Sequence, residues 1–211
     1  MTGPSGTGGG AGAARLVDDL RSMVGVWHDR LRAWDAAGTE LHHDPFGGVP
    51  GPFPYENLVY CDFDGRTWTQ TNVTFRGREP HARTFEADVD GGVLTFRRLG
   101  PEAPEHVGVS GGPGLIWFVA RSLAEPGLQR YCEPDLIRLD VPADEDPAAG
   151  RPARRWRTTV LWRDGELVRP MLVEGERLTV DTSRTHPWDP RGADAPVHGT
   201  RSATRQYQET R

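Results

Sequence analysis

YENLVYCDFDGRTWTQTNVTF, residues 55–75, decides the fold. Two runs rich in β-branched and aromatic residues flank Asp64-Gly65, and the alternation within them has a period of two, as in half-buried strands. Asp-Gly between such runs favours a two-residue hairpin turn, because both central residues must take positive φ. That turn fixes the register as Cys61 opposite Trp68, Val59 opposite Gln70 and Asn57 opposite Asn72, and paired residues share a face. The opposite face carries Glu56, Leu58, Tyr60 and Asp62 with a row of threonines. The first set is therefore expected to point inward.

Outward from this stretch, the same grammar recurs. Strand-like runs are expected at 26–35, 39–43, 55–63, 66–75, 82–89, 92–99, 115–121, 128–139, 154–163, 166–174, 176–182 and 199–208. Asp90-Gly91 and Asp164-Gly165 each stand between two of them. Three tight hairpins in chain order imply up-and-down topology, and such a sheet removes its exposed edges by closing on itself. Residues 14–24 place Leu16, Leu20, Met23 and Val24 at helical spacing, so one short amphipathic helix precedes the strands and Gly25 ends it. Loops are expected at 44–54, 140–153 and 183–198. The expectation is an all-β chain: a closed up-and-down antiparallel barrel with a short N-terminal helix, a disordered tail at 1–14 and a single domain at 15–208.

The other hairpins extend the inner wall. Around Asp90-Gly91, Ala87 pairs with Leu94 and Phe85 with Phe96, all facing in. Around Asp164-Gly165, the inner pairs are Trp162/Leu167, Val160/Arg169, Thr158/Met171 and Trp156/Val173, while Arg155 and Arg157 face out. Trp117 is placed on a cavity-facing strand. A barrel filled solid would hold aliphatic side chains alone. This mixture of aromatics with Asn57, Gln70, Asn72 and Arg169 reads as the lining of a ligand cavity. Arg169 is the most telling residue, since a buried guanidinium stays charged and must meet a carboxylate, a carbonyl, water or a ligand. Glu133 and Asp135 are its protein-side candidates.

Composition narrows the chemistry. The formal charge is −5 with no basic block, which argues against a nucleic-acid partner. No apolar stretch approaches the ~20 residues that span a bilayer. The 25 basic residues are all Arg, so lysine Schiff-base chemistry is excluded. Gly108-Val109-Ser110-Gly111-Gly112 matches the GxSxG nucleophile elbow, but a strand follows where the motif needs a helix. His42-His43-Asp44 adjoins a Pro/Gly loop and has no metal-ligand spacing, so solvated residues are expected there. Cys61 and Cys132 lack a CxxC pattern and read as buried free thiols in a cytoplasmic protein. No cofactor and no metal are expected.

Gly25-Val26-Trp27 follows the helix directly, and Arg205 and Tyr207 stand near the far end. In this layout the chain resembles the calycin superfamily, which includes the lipocalins. There a GxW on the first strand packs its Trp against an Arg from the last strand and closes the barrel base. The resemblance spans roughly 15–208 in layout, with identity carried by the GxW and the late Arg. It is closest to cytoplasmic bacterial lipocalin-like proteins such as phycobiliprotein lyases. It implies that Trp27 and Arg205 are structural.

The expected function is binding of a small, mostly apolar metabolite bearing a carbonyl or carboxylate. The reading favours a cofactor-free cyclase or isomerase of natural-product metabolism, with Arg169, Asn72 and Gln70 stabilising developing charge. Asn57, Trp68, Phe85, Phe96, Trp117, Thr158, Trp162 and Met171 are expected to line the site. The alternative is a non-catalytic carrier or a chromophore-lyase-like chaperone. No nucleic acid or membrane partner is expected, and homo-oligomerisation stays open.

Overall fold

The computed structural model describes residues 9–44, 51–76, 80–97, 105–120, 134–163 and 166–192. Helix α1 spans Gly9–Met23, starting five residues before the expected 14. Strands β1 (Gly25–Ala33), β2 (His43–Asp44), β3 (Gly51–Pro52), β4 (Tyr55–Phe63), β5 (Thr67–Phe75) and β6 (His81–Asp90) follow. Then come β7 (Val93–Phe96), β8 (His106–Gly112), β9 (Leu115–Ala120), β10 (Asp135–Asp140), β11 (Arg154–Arg163) and β12 (Glu166–Thr179). Among the described residues, β2 and β3 form a separate two-stranded sheet. The other ten strands form a closed antiparallel barrel in which every strand from β4 to β12 pairs with its sequence neighbour and β1 bridges β12 to β4. The closed barrel, its up-and-down order and its leading helix are as the sequence implies. The expected run at 199–208, with Arg205 and Tyr207, lies outside the described residues, as do Cys132 and Glu133.

Both early hairpins are displaced from the expected register by two, and so keep their faces. In the first, Phe63 pairs with Trp68 and Cys61 with Gln70. The Asp64 carboxylate accepts from the Arg66 and Thr67 backbone N–H groups, at 2.8 and 2.6 Å, and holds a wider loop than a two-residue turn. In the second, positive φ falls on Gly91 and Gly92 rather than on Asp90 and Gly91, and Val89 pairs with Leu94.

The last hairpin differs. Trp162 pairs with Leu167, but Leu161 pairs with Arg169, leaving Val168 bulged. One extra residue inverts every later pair across the ladder. Arg155, Arg157, Thr159 and Leu161 thus share the inner face with Arg169, Met171 and Val173. Trp156, Thr158, Val160 and Trp162 turn outward, correcting the sequence-based assignment, and Trp156 and Trp162 are exposed. Trp117 is also corrected: it pairs with Leu136 on the outer face and is 45% exposed, whereas its neighbours Ile116 and Phe118 face in.

Two further departures have local causes. β8 was not foreseen as a strand because of its glycines, yet Gly108 lies under the Phe118 ring, where a Cβ would come within 2.8 Å. The GxSxG run is thus sheet, not an elbow. The break expected between 174 and 176 is absent. β12 runs straight through Gly175, whose Cβ would meet Asp29 Oδ1 at 2.3 Å and Arg155 Cγ at 2.8 Å.

Candidate functional site

The barrel interior has two unlike halves. The base is sealed. The α1 stripe Leu16, Leu20 and Met23 is fully buried against Trp27, Val59, Cys61, Trp68 and Leu94. Trp27 donates from its indole nitrogen to the Met23 carbonyl at 2.8 Å. Its ring lies beneath two guanidinium groups, Arg155 at 4.7 Å and Arg177 at 5.2 Å. Arg177 donates to the Ser22 and Val24 carbonyls and to Glu145, so it ties the helix end to the last barrel strand. Hydrogen bonding from Arg177 holds the Glu145 carboxyl below its ordinary range. Gly25 lies so close to Arg177 and to the Thr179 carbonyl that no Cβ fits, and its φ of 136° suits glycine. The GxW residues are therefore structural, and the cations on Trp27 come from β11 and β12.

Above this plug lies a buried ion pair. Arg155 donates to both Asp29 oxygens, at 3.0 and 2.6 Å, and each side chain is 5% exposed. A bidentate pair of this kind satisfies the charge that burial would otherwise penalise. Arg155 also approaches Cys61 Sγ at 3.7 Å. Burial pushes that thiol up to about 11, which leaves it protonated and inert.

The half away from the helix is polar and wetter. Cross-strand register places Asn57, Gln70, Asn72, Phe85, Phe96, Arg157, Thr159, Arg169 and Met171 on its inner face. Gln70, Asn72, Phe85 and Phe96 are partly exposed, and the Arg157 and Asp135 side chains are 24% and 13% exposed. In a closed barrel, inward side chains can be wetted only through interior space or its mouth. Phe53, from the loop after β3, packs at this end on Leu31, Ala33 and Met171. Arg76 stacks on Phe53 and Tyr55 at 4.4 and 4.3 Å, and Arg169 lies 5.6 Å over Phe53.

Of the expected site residues, eight share this interior: Arg169, Asn72, Gln70, Asn57, Trp68, Phe85, Phe96 and Met171. Trp68 belongs to the base rather than to the open half, since it is 1% exposed and packs under the helix. Trp117, Thr158 and Trp162 are on the outer wall and leave the site. Gln70 donates to Asn72 at 2.9 Å, so the two amides are bound to each other. Arg169 donates to the Met171 sulfur, and Asp135, one of its expected partners, is bridged by Arg157. Among the described residues, the buried atoms here with no hydrogen-bond partner include Asn57 Oδ1 and Thr159 Oγ1. The residues 7% and 1% exposed that carry them are ones for which an unsatisfied polar atom is costly. Thr159, Arg157 and the Asp29–Arg155 pair were missed because the bulge reversed the face of β11. Pro170 was the available signal, since proline inside a strand marks an edge or an irregular ladder.

No family profile matches the sequence, and no curated protein does. Two solved structures are similar in fold. One is a protein of unknown function from the DUF3598 family of Nostoc punctiforme, with a TM-score of 0.52 at 16% identity over 76% of this chain. The chain spans about half the length of that protein, 48%. The other is the S-type phycobiliprotein lyase CPES from Guillardia theta, with a TM-score of 0.52 at 8% identity. That match covers 82% of this chain and 98% of the lyase. With its GxW base, its leading helix and its ten-stranded antiparallel closure, the chain has the lipocalin-like barrel fold of the calycins.

Proposed function

We propose that the chain is a binding protein whose barrel takes up one small, largely apolar molecule bearing a carboxylate or carbonyl, in the half away from α1. One observation carries this reading: inner side chains of a closed barrel remain partly exposed there, while Asn57 Oδ1 and Thr159 Oγ1 are buried without partners. Phe85, Phe96 and Met171 supply apolar surface, and polar groups at the wall fix orientation. Arg169 and Arg157 favour an anionic end, because guanidinium groups suit planar carboxylates. The fold likeness to a phycobiliprotein lyase supports a guest as large as a chromophore. Binding is better supported than cyclisation or isomerisation, since the two amides assigned to catalysis are engaged with each other.

The test is titration of the full chain with three probes: cis-parinaric acid, its methyl ester and biliverdin. Saturable one-to-one binding of the acid or of biliverdin is expected, with the ester weaker. Arg169→Met should weaken the acid roughly tenfold or more, the scale of one charge-assisted hydrogen bond, and leave the ester unchanged. No saturable binding of any probe overturns the proposal.

A further inference from the structure

The outer wall of the barrel is not uniform. Around β1, β4 and β5 its apolar residues Val26, Leu58, Tyr60 and Val73 are fully buried. The segment after β12 lies over them: Tyr60 donates to Asp189 at 2.9 Å, and Trp188 packs on His28 and Phe75. Around β9–β12 the outer wall is open and mixes large apolar side chains with charged ones. Trp117, Trp156 and Trp162 are 45%, 36% and 40% exposed there. An antiparallel sheet normally turns polar residues to water on its outer face. Large aromatics left open on such a face, among charges of both signs, mark an interaction surface.

The register shows what fits this face. Three outward rows cross β10, β11 and β12: Arg138, Trp156, Glu174; then Leu136, Thr158, Leu172; then Pro134, Val160, Pro170. A two-fold axis along β11 carries the β10 member of each row onto the β12 member of the same row in a second copy. Arg138 then meets Glu174 twice, Leu136 meets Leu172, Pro134 meets Pro170, and Val160 meets itself. The second row continues to Trp117 on one side and Arg32 on the other, which the same axis brings together as a cation–π contact. Trp156 and Trp162 share β11 with Val160, so the same axis also sets each of them against its own copy, at the centre of the patch where aromatic side chains contribute most to an interface. The three exposed tryptophans offer together roughly 300 Å², taking ~250 Å² for a whole side chain. Their half-buried neighbours bring the face toward the ~800 Å² per partner of a standard interface.

We infer that the chain forms a two-fold dimer through the outer face of β10–β12, with a second copy of itself as the occupant. Such an interface is isologous, so the same patch serves both copies.

The experiment is sedimentation equilibrium of the full chain up to hundreds of micromolar. The expected mass is twice 23.3 kDa. Val160→Glu places two carboxylates against each other on the axis and should yield monomer. Arg138→Glu and Glu174→Arg should each weaken the dimer roughly tenfold or more, as like charges at an interface do. The double charge swap should restore it. Near-ultraviolet circular dichroism and the melting curve confirm that each variant is folded. A wild-type chain that stays monomeric overturns the inference, and so does a dimer indifferent to Val160→Glu or not rescued by the swap. None of these readouts depends on barrel ligand binding, so this inference and the binding proposal fail separately.

Discussion

Two Asp-Gly hairpins of the barrel look alike in sequence and behave differently. In β4–β5 the true register departs from the simplest turn by two residues, and every side chain keeps its face. In β11–β12 it departs by one, through the bulge at Val168, and four outward residues exchange places with four inward ones. An even slip is silent for function, while an odd one rewrites the site. It carries Arg155, Arg157 and Thr159 into the barrel and puts Trp156 and Trp162 on the outside. The composition of the lining follows from one residue that pairs with nothing.

The sharpest test of this contrast is Trp68→Ala, on the hairpin whose faces were preserved. Trp68 is 1% exposed, so its loss should cost about 3–5 kcal/mol in denaturant melts. A cost under about 1 kcal/mol would place it on the surface. Asp29→Asn probes the inverted hairpin. It leaves the Arg155 charge buried without its bidentate partner, and a loss of about 3–5 kcal/mol is expected. A neutral result would mean that Arg155 faces solvent, as the uncorrected register had it. A smaller effect lies at the foot of β12. The Glu145 carboxyl is held below its ordinary value of 4.5 by hydrogen bonding from Arg177. A depressed carboxylate stabilises the fold above the unfolded pKa, and its contribution disappears as pH falls through the folded one. Stability should thus fall on acidification below about 4.5, the ordinary value, and Glu145→Gln should flatten that part of the pH profile. A profile identical to wild type would show that Arg177 gains nothing from this pair. The smallest change is expected from Trp162→Ala. At 40% exposure on the outer wall, it should shift monomer stability by no more than about 0.5 kcal/mol. A loss comparable to that of Trp68 would return Trp162 to the core.

Much of this architecture was legible from patterns that tolerate small errors. Period-two runs and turn residues suffice for an up-and-down barrel, and the stripe Leu16, Leu20 and Met23 suffices for a helix with one buried face. Eight of the eleven expected site residues face inward because β4–β7 slipped by an even number and β12 kept its faces while β11 took the odd slip. What was not legible depends on counting. β11 is read correctly only when Val168 is known to be unpaired, and Pro170 signals an irregular ladder without saying which residue is left out. β8 was hidden because its glycines are chosen for what packs on them, the Phe118 ring over Gly108, and not for strand propensity. Gly175 misled in the same way. It resembles a turn signal, but its role is to make room for the Asp29–Arg155 pair.

That pair also bears on how the chain is made. Its partners are 126 residues apart in sequence, so the bond can form only after β11 has left the ribosome. At roughly 5–20 residues per second, β1 waits on the order of ten seconds with one edge open. An open edge is a template for mispairing, and an inward charge on the strand is a means of discouraging it. Asp29 is such a charge. Until Arg155 arrives, any wrong strand that covers this edge must bury an uncompensated carboxylate, and the correct one does not.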